Sequence, residues 1–326
     1  MDTNELIVLL ADGEYHSGES LGAALGGISR TAVWKQLKKL ESLGLKLESR
    51  KGLGYRIVNG LDLLSEITIR QHLTKECLEI LRQISVNAVI DSTNASALQG
   101  IQQGVTHAAL YLAEQQTAGR GRRGRTWISP FASNIYLSLV WQFTGGASVL
   151  GGLSLAVGVA VCRSLRGLGV SEVGLKWPND IVTDGKKLGG ILLEMQGDAA
   201  GDCQVVIGIG INVAMGLEAS QHIDQPWIDL QSLMGAQLPS RNMIVAAIVN
   251  ELVSVLQKFQ TTSFSPYRQE WMEYDVYKGR EVMVQLGDNY IFGTSQGVDN
   301  GGALIILTPE GLKSFNGGEV SLRPAI

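Results

Sequence analysis

The sequence predicts an α+β multidomain protein in three parts. They are an N-terminal winged helix-turn-helix, a central mixed sheet flanked by helices, and a small C-terminal β-barrel or sandwich. Three observations predict it. Positive charge gathers in the first sixty residues of an acidic chain; β-rich runs alternate with helical ones from 86 to about 274; and the last fifty residues are short strands joined by glycine-containing turns.

Residues 5–11 are apolar and of helix length. Ser17 can cap a second helix over 19–25, which Gly26-Gly27 ends. Ser29 can cap a third over 30–43, with Val33, Leu37, Leu40 and Leu43 on one face and Gly44 closing it. Residues 45–49 then alternate, 50–54 make a turn and 55–58 return as a strand. Between Arg30 and Arg56 stand eight basic residues (Arg30, Lys35, Lys38, Lys39, Lys46, Arg50, Lys51, Arg56) and two acids (Glu41, Glu48), placing positive charge where a polyanion can use it. In such a unit the third helix enters the major groove. Ser29, Arg30 and Thr31 sit at its start, and Lys35, Lys38 and Lys39 can reach phosphates. A merely solvated basic face, or a protein-binding module, is the alternative. Gly26-Gly27 is one residue more than the tightest turn needs.

A linker with one helix (68–81) is expected next. Strands follow at 86–90, 108–114, 134–141, 174–177, 188–194 and 205–213, with long helices at 150–168 and 241–259. C-terminal strands fall at 281–286, 290–296, 303–307 and 311–314. The expected divisions are 1–60, 61–85, 86–275 and 276–326.

The whole chain carries Lys+Arg 27 against Asp+Glu 31, so it is not a basic nucleic-acid coat. Charged residues at 18% with 40 glycines argue for a compact enzyme with tight loops and against disorder. Cys77, Cys162 and Cys203 lie far apart without a C-x-x-C pair. That speaks against a disulfide scaffold or structural zinc and fits a reducing cytoplasm. The start is acidic where a signal peptide needs basic residues. Residues 126–162 carry no charge, yet their most apolar part, 149–162, is too short for ~30 Å of hydrocarbon. A buried strand and a core helix are expected there, and no membrane partner.

The chemistry concentrates in five segments. Gly119-Arg120-Gly121-Arg122-Arg123-Gly124-Arg125-Thr126-Trp127 joins glycines that let a backbone approach a ligand with arginines that match carboxylate or phosphate oxygens. It satisfies G-x-G-x-x-G, but Thr-Trp-Ile-Ser-Pro does not open a helix, which excludes a dinucleotide fingerprint. A repetitive RGG-type RNA segment would need repeats that are absent. Lys176-Trp177-Pro178-Asn179-Asp180 is a strand end with an amide and a carboxylate at its lip, or only a turn. Lys187 precedes Leu188-Gly189-Gly190 on a strand rim, suited to an anion or acyl group. Gly208-Ile209-Gly210-Ile211-Asn212 ends another strand, and Asp91-Ser92-Thr93-Asn94 offers either a polar head-group site or a helix cap. Together they form an inventory for joining an acid to a nucleotide phosphate, where cations must neutralise two anions.

At these residues the sequence resembles the bifunctional biotin–protein ligases that double as biotin operon repressors. GRGRRGRTW, KWPND, KLGGILLE and GIGINV stand in the family's order behind the winged helix. The resemblance covers nearly the whole chain. It implies a catalytic domain related to class II aminoacyl-tRNA synthetases and an SH3-like C-terminal domain. It also implies a two-step reaction: biotin and MgATP give biotinyl-5′-adenylate, and biotin then passes to a lysine of a biotin carboxyl carrier protein. By motif, Ser92, Thr93, Asn94 and Gln116 would hold the biotin head. Arg120, Gly121, Arg122 and Lys187 would enclose the carboxylate and phosphate, and Arg122, Trp127, Asn179 and Asn212 would contact ATP or the adenylate. Catalysis would rest on Arg120, Arg122, Lys187 and Asp180, with Asp180 the candidate for magnesium and no other side-chain metal ligand expected. The implied partners are the carrier protein, operator DNA and a second copy of the chain when adenylate is bound.

A non-catalytic sensor would not need Arg120, Arg122 and Lys187 together. A lipoate ligase shares the fold but carries a GGG run with histidine. Gly293-Thr294-Ser295-Gln296-Gly297 fits G-x-S-x-G, but a hairpin turn follows it instead of the helix a nucleophile elbow needs. The four histidines (His16, His72, His107, His222) lack metal-ligand spacing.

Overall fold

The computed structural model describes residues 3–197, 201–216, 221–287, 289–317 and 320–324. The N-terminal helices are α1 (Thr3–Leu10), α2 (Gly18–Ala24) and α3 (Arg30–Ser42). The hairpin β1 (Leu47–Arg50) and β2 (Gly54–Ile57) follows. Ser17 and Ser29 cap α2 and α3 through their hydroxyl oxygens, which accept from the Ser20 and Ala32 amides, as the sequence predicts. Gly26 and Gly27 both adopt positive φ, and the amides of Gly27 and Ile28 donate to the Gly22 carbonyl. The extra glycine thus lets the chain reverse under α2. Leu6, Leu10, Leu21, Val33, Leu37, Leu40 and Ile57 close this unit's core, together with Phe131 from the central part of the chain.

The single helix expected at 68–81 is two helices, α4 (Glu66–His72) and α5 (Lys75–Ile80). Leu73 turns extended, and the Thr74 hydroxyl caps α5 by accepting from the Cys77 amide. Local capping wins over an apolar spacing that runs through the break.

The central sheet has seven strands in the order β3-β4-β5-β9-β8-β7-β6. They are β3 (Gln83–Ile90), β4 (Ala109–Gln116), β5 (Ile135–Phe143), β6 (Gly174–Lys176), β7 (Asp180–Thr183), β8 (Lys186–Gly197) and β9 (Cys203–Ile211). Only β3 and β4 pair in parallel, through α6 (Thr93–Gln102); every other pair is antiparallel. Sequence reasoning placed no strand at β7 and offered α6 only through the helix-cap alternative at 91–94. One face is covered by α7 (Leu153–Gly167) and the helix Arg241–Thr262. That last helix is long and apolar enough to span a bilayer, but Ile244, Val245, Ile248, Leu252, Val255 and Leu256 are buried in the protein core.

The C-terminal sheet is antiparallel, in the order β13-β12-β11-β10-β14, from β10 (Glu281–Leu286), β11 (Asn289–Val298), β12 (Leu304–Thr308), β13 (Gly311–Phe315) and β14 (Val320–Pro324). Ser295 lies inside β11, with no helix after it. Val282, Val284, Leu304 and Ile306 join the same hydrophobic core as the central sheet. The Trp177 indole N–H donates to the Gly302 carbonyl across the junction, at 3.1 Å.

Two ionic features mark the seams. Glu114 and Arg241 form a buried ion pair at 2.7 Å between β4 and the long helix. At the entry to the C-terminal sheet, Asp275 Oδ1 accepts from the Tyr277 amide at 2.9 Å, while Oδ2 is buried without a partner among the described residues. Burial pushes the Asp275 carboxyl up to about 6. The folded state therefore holds this proton more tightly than the unfolded chain, and the group's contribution to stability falls as pH rises from about 4 to 6. Asp275→Asn should raise the melting temperature by about 2–4 °C at pH 8. That gain should shrink towards zero near pH 4, as scanning calorimetry at both pH values would show.

Candidate active site

A cavity of about 590 Å³ opens over the β8–β9 face, between the 119–127 loop, the 176–180 turn and the C-terminal sheet. Ser92, Thr93, Asn94, Gln116, Arg120, Gly121, Arg122, Trp127, Asn179, Asp180 and Lys187 all line it. Strand ends and a helix start converge here, which brings residues 92 and 187 to one wall.

The inner wall is a connected polar cluster. Ser92 stands at the α6 N-cap position, yet its side chain makes no cap hydrogen bond. Thr93 donates through its amide (2.9 Å) and hydroxyl (3.2 Å) to Gln116 Oε1. The Gln116 amide donates to Ser129 Oγ at 2.9 Å. Ser138 Oγ lies 2.7 Å from Thr93 Oγ1 and 2.5 Å from Asn94 Oδ1, and its single proton serves one of the two at a time. Asn94 Nδ2 donates to Glu194 Oε2 at 2.6 Å. Three of these partners, Ser129, Ser138 and Glu194, were given no role by sequence reasoning: Ser138 lies on β5 away from every motif, Ser129 falls just past the arginine hairpin, and Glu194 ends the KLGGILLE run without a partner visible in the sequence. Thr93, Asn94 and Gln116 are therefore tied into one network, and Ser92, Thr93 and Asn94 are buried.

Glycines make the room. A Cβ on Gly208 would stand 2.3 Å from Asn94 Oδ1, and one on Gly210 would stand 2.6 Å from Trp127 Cε2. The two residues lie on the same face of β9 because strand side chains alternate. Gly210 thereby seats the Trp127 indole against the sheet. Trp127 Nε1 is buried with no hydrogen-bond partner among the described residues, an orphaned donor of the kind a ligand acceptor satisfies. Beyond it lies a second cavity of about 250 Å³, lined in part by Trp127, Lys187, Asn212, His222 and Trp227. Asn212 lies on this second cavity and not on the larger one; its amide donates to the Ile228 carbonyl at 3.1 Å.

The arginine loop is a tight hairpin. Gly121 N donates to Arg125 O and Trp127 N to Gly119 O, while Arg123 and Gly124 take successive positive φ. Arg120 reaches Glu194 at 3.3 Å. Arg122 donates to Asn179 Oδ1 at 2.9 Å and to the Gly317 carbonyl, tying the loop to the 176–180 turn and the C-terminal sheet. Burial pulls its guanidinium down from the ordinary value, against the attraction of Asp180. Lys187 Nζ sits 2.7 Å from Asp180 Oδ1 and 5.5 Å from the Trp127 ring centre. Lys176, on the same wall, is likewise pulled down by burial, with Asp180 opposing. Among the described residues no three His, Cys, Asp or Glu side chains gather as a metal site.

Ser29, Arg30, Thr31, Lys35, Lys38 and Lys39 lie apart from this cavity, exposed on α3. Ser29 spends its oxygen on the cap, and Lys38 pairs with Glu41 at 2.8 Å.

A glycine-cleared sheet carrying a polar pocket, an arginine hairpin and a seated indole defines an acid-activating ligase of the biotin and lipoate class. Residues 86–212 match the Biotin/lipoate A/B protein ligase family, 278–323 the Biotin protein ligase C terminal domain, and 3–56 an HTH domain. The chain is 41% identical to "Bifunctional ligase/repressor BirA" of Salmonella typhimurium, over 98% of this chain and 97% of that protein. It is 40% identical to the Escherichia coli protein of that name, with the same coverage. The structure of "Biotin protein ligase from Aquifex aeolicus in complex with biotin and ATP" matches with a TM-score of 0.64 at 28% identity. It covers 75% of this chain and 100% of that one. The chain belongs to the bifunctional biotin ligase/repressor family.

Gly208→Ala and Gly210→Ala should each cost about 1–3 kcal/mol of stability, through the displaced Asn94 or Trp127. Gly167→Ala, a helical position where a Cβ meets nothing within 4 Å, should be neutral or slightly stabilising. Urea denaturation of the three variants checks this.

Proposed function

We propose that this chain is an ATP-dependent biotin–[biotin carboxyl-carrier protein] ligase that also represses transcription. One observation carries the reading: the polar cluster, arginine hairpin, Lys187–Asp180 pair and seated Trp127 all face one cavity. Ser92, Thr93, Asn94 and Gln116 would take the biotin head. The apolar chain would lie along Gly190 and Gly208, bringing its carboxylate towards Arg120, Arg122 and Lys187.

The carboxylate oxygen attacks the α-phosphorus of ATP, and the bond from that phosphorus to the bridging oxygen of pyrophosphate breaks. Three cations offset the charge brought together. Trp127 would pack on the adenine. Asn212 faces the nucleotide side through the smaller cavity, and Asn179 would lie near the phosphates. Magnesium would enter with the triphosphate, Asp180 being the carboxylate beside Lys187 that can meet it. The carrier's lysine amine then attacks the acyl carbon; the bond to AMP breaks, AMP leaves and the nitrogen loses its proton.

In the same reading β1–β2 is a wing, the C-terminal sheet an SH3-like barrel and the central sheet a relative of class II aminoacyl-tRNA synthetases. The units are 1–60, 61–85, 86–275 and 276–326. With adenylate bound, two chains pair through their central sheets, where β3 presents an edge, and set two α3 helices on operator DNA in the cytoplasm.

Pyrophosphate exchange tests the chemistry: labelled pyrophosphate should enter ATP with biotin present and not with lipoate. Exchange with lipoate alone would overturn the substrate, and silence with both would favour a non-catalytic sensor. Arg122→Gly should release adenylate at least tenfold faster, because the hairpin loses its tie to Asn179 and Gly317. It should also label bystander proteins, as streptavidin blots would read. A variant that still labels only the carrier domain refutes that role.

A further inference from the structure

We propose that Trp34, through its indole face, is a base-reading residue of α3 that contacts the 5-methyl group of thymine in the major groove. This rests on the DNA-binding reading of the N-terminal unit and goes beyond it by naming a specificity-determining side chain. The helix buries Val33, Leu37 and Leu40 and turns the opposite face outward. On a 3.6-residue period Thr31, Lys35, Lys38 and Ser42 stand opposite the buried face, and Trp34 lies on the flank beside them with Arg30 and Glu41, its ring half exposed.

Trp34 is 49% exposed, an unusual placement for the largest apolar side chain when the helix has a core to offer. Lys38 holds its ammonium over one side of the indole, 5.7 Å from the ring centre, while pairing with Glu41 at 2.8 Å. From Arg30 to Lys39 the helix carries no acid. The chemistry is that of an apolar plate set among cations, and a major groove supplies both complements: phosphates at its rims and, among base edges, the thymine methyl as the apolar group. The charge complementarity favours DNA over a protein surface as occupant.

The test uses full-length protein with biotin and MgATP. Duplexes are selected from a randomised library, and binding to the enriched duplex is followed by fluorescence anisotropy. Each thymine is then replaced in turn by deoxyuridine, which removes only the methyl. At one thymine per half-site the wild type should lose about three- to fivefold in affinity, the worth of one buried methyl. Trp34→Ala should bind the thymine and uracil duplexes equally, while its biotin-dependent pyrophosphate exchange stays at the wild-type rate. Lys35→Ala should weaken every duplex alike and flatten the salt dependence.

If no single methyl matters to the wild type, or Trp34→Ala keeps the same methyl preference, the proposal is overturned. If the wild type enriches no sequence at all, the DNA-binding reading itself falls and takes the proposal with it.

Discussion

The buried pair of Glu114 and Arg241 fastens the segment that follows the helix-turn-helix to the central sheet and its long helix. Glu114 Oε1 accepts from the Leu64 amide at 2.6 Å. Arg241 donates to the Asp62 carbonyl at 2.8 Å and twice to the Asn134 carbonyl, at 2.8 and 3.1 Å. Asn242 completes the clamp, accepting from Ser65 N and donating to Leu63 O, both at 2.8 Å. The link between the helix-turn-helix and the sheet is thus fastened to a β-strand and a core helix. With Glu114 4% and Arg241 2% exposed, losing either partner strands a charge in the core; such losses cost about 3–5 kcal/mol in other proteins. The pair serves position, since an apolar pair could pack the same volume but could not grip three backbone groups.

From that clamp the geometry passes to the site. Asn134 Oδ1 accepts from Val213 N at 2.9 Å, which fixes the end of β9 beyond Gly208 and Gly210. Those glycines leave the polar pocket and the Trp127 seat side by side. The site has a rigid half, built of strands, and an adjustable half, the arginine hairpin, tied through side chains alone to the Asn179 turn and the C-terminal sheet. A reaction that must admit two anions, hold a mixed anhydride and then admit an amine needs both kinds of wall.

Much of this was legible in the sequence because it was local. Ser17 and Ser29 announce their helices, the β1–β2 turn follows from its glycines, and the residues after 119–127 show that this glycine and arginine loop does not open a helix. The cavity residues were found as motifs, since short polar side chains and glycines cluster near one another in sequence. What was hidden depends on distant partners. Ser138 and Glu194 matter because they meet Asn94 across the sheet, and Arg241 looks like the first turn of an apolar helix until Glu114 stands beside it. The break at Leu73-Thr74 escaped because apolar spacing continues through it, and α6 was offered only as an alternative because its weakly apolar sequence reads equally well as a loop after Asp91. Trp34 was passed over because a tryptophan in a helix is ordinarily core.

The segment leaving the hairpin binds the two hydrophobic cores together. After Trp127, Ser129 is held by Gln116, the Pro130 carbonyl accepts from the Tyr136 hydroxyl at 2.9 Å, and the Ala132 amide donates to the Glu114 carbonyl at 3.0 Å. Between them Phe131 leaves the sheet and enters the N-terminal core with Leu6, Leu37 and Ile57. On the other side Thr117 and Ala118 donate backbone hydrogen bonds to Ile90 and Asp91. Both ends of the arginine hairpin are therefore fastened, one of them into the helix-turn-helix. The physical route from the catalytic pocket to the N-terminal unit runs through Phe131, a few residues long and packed throughout.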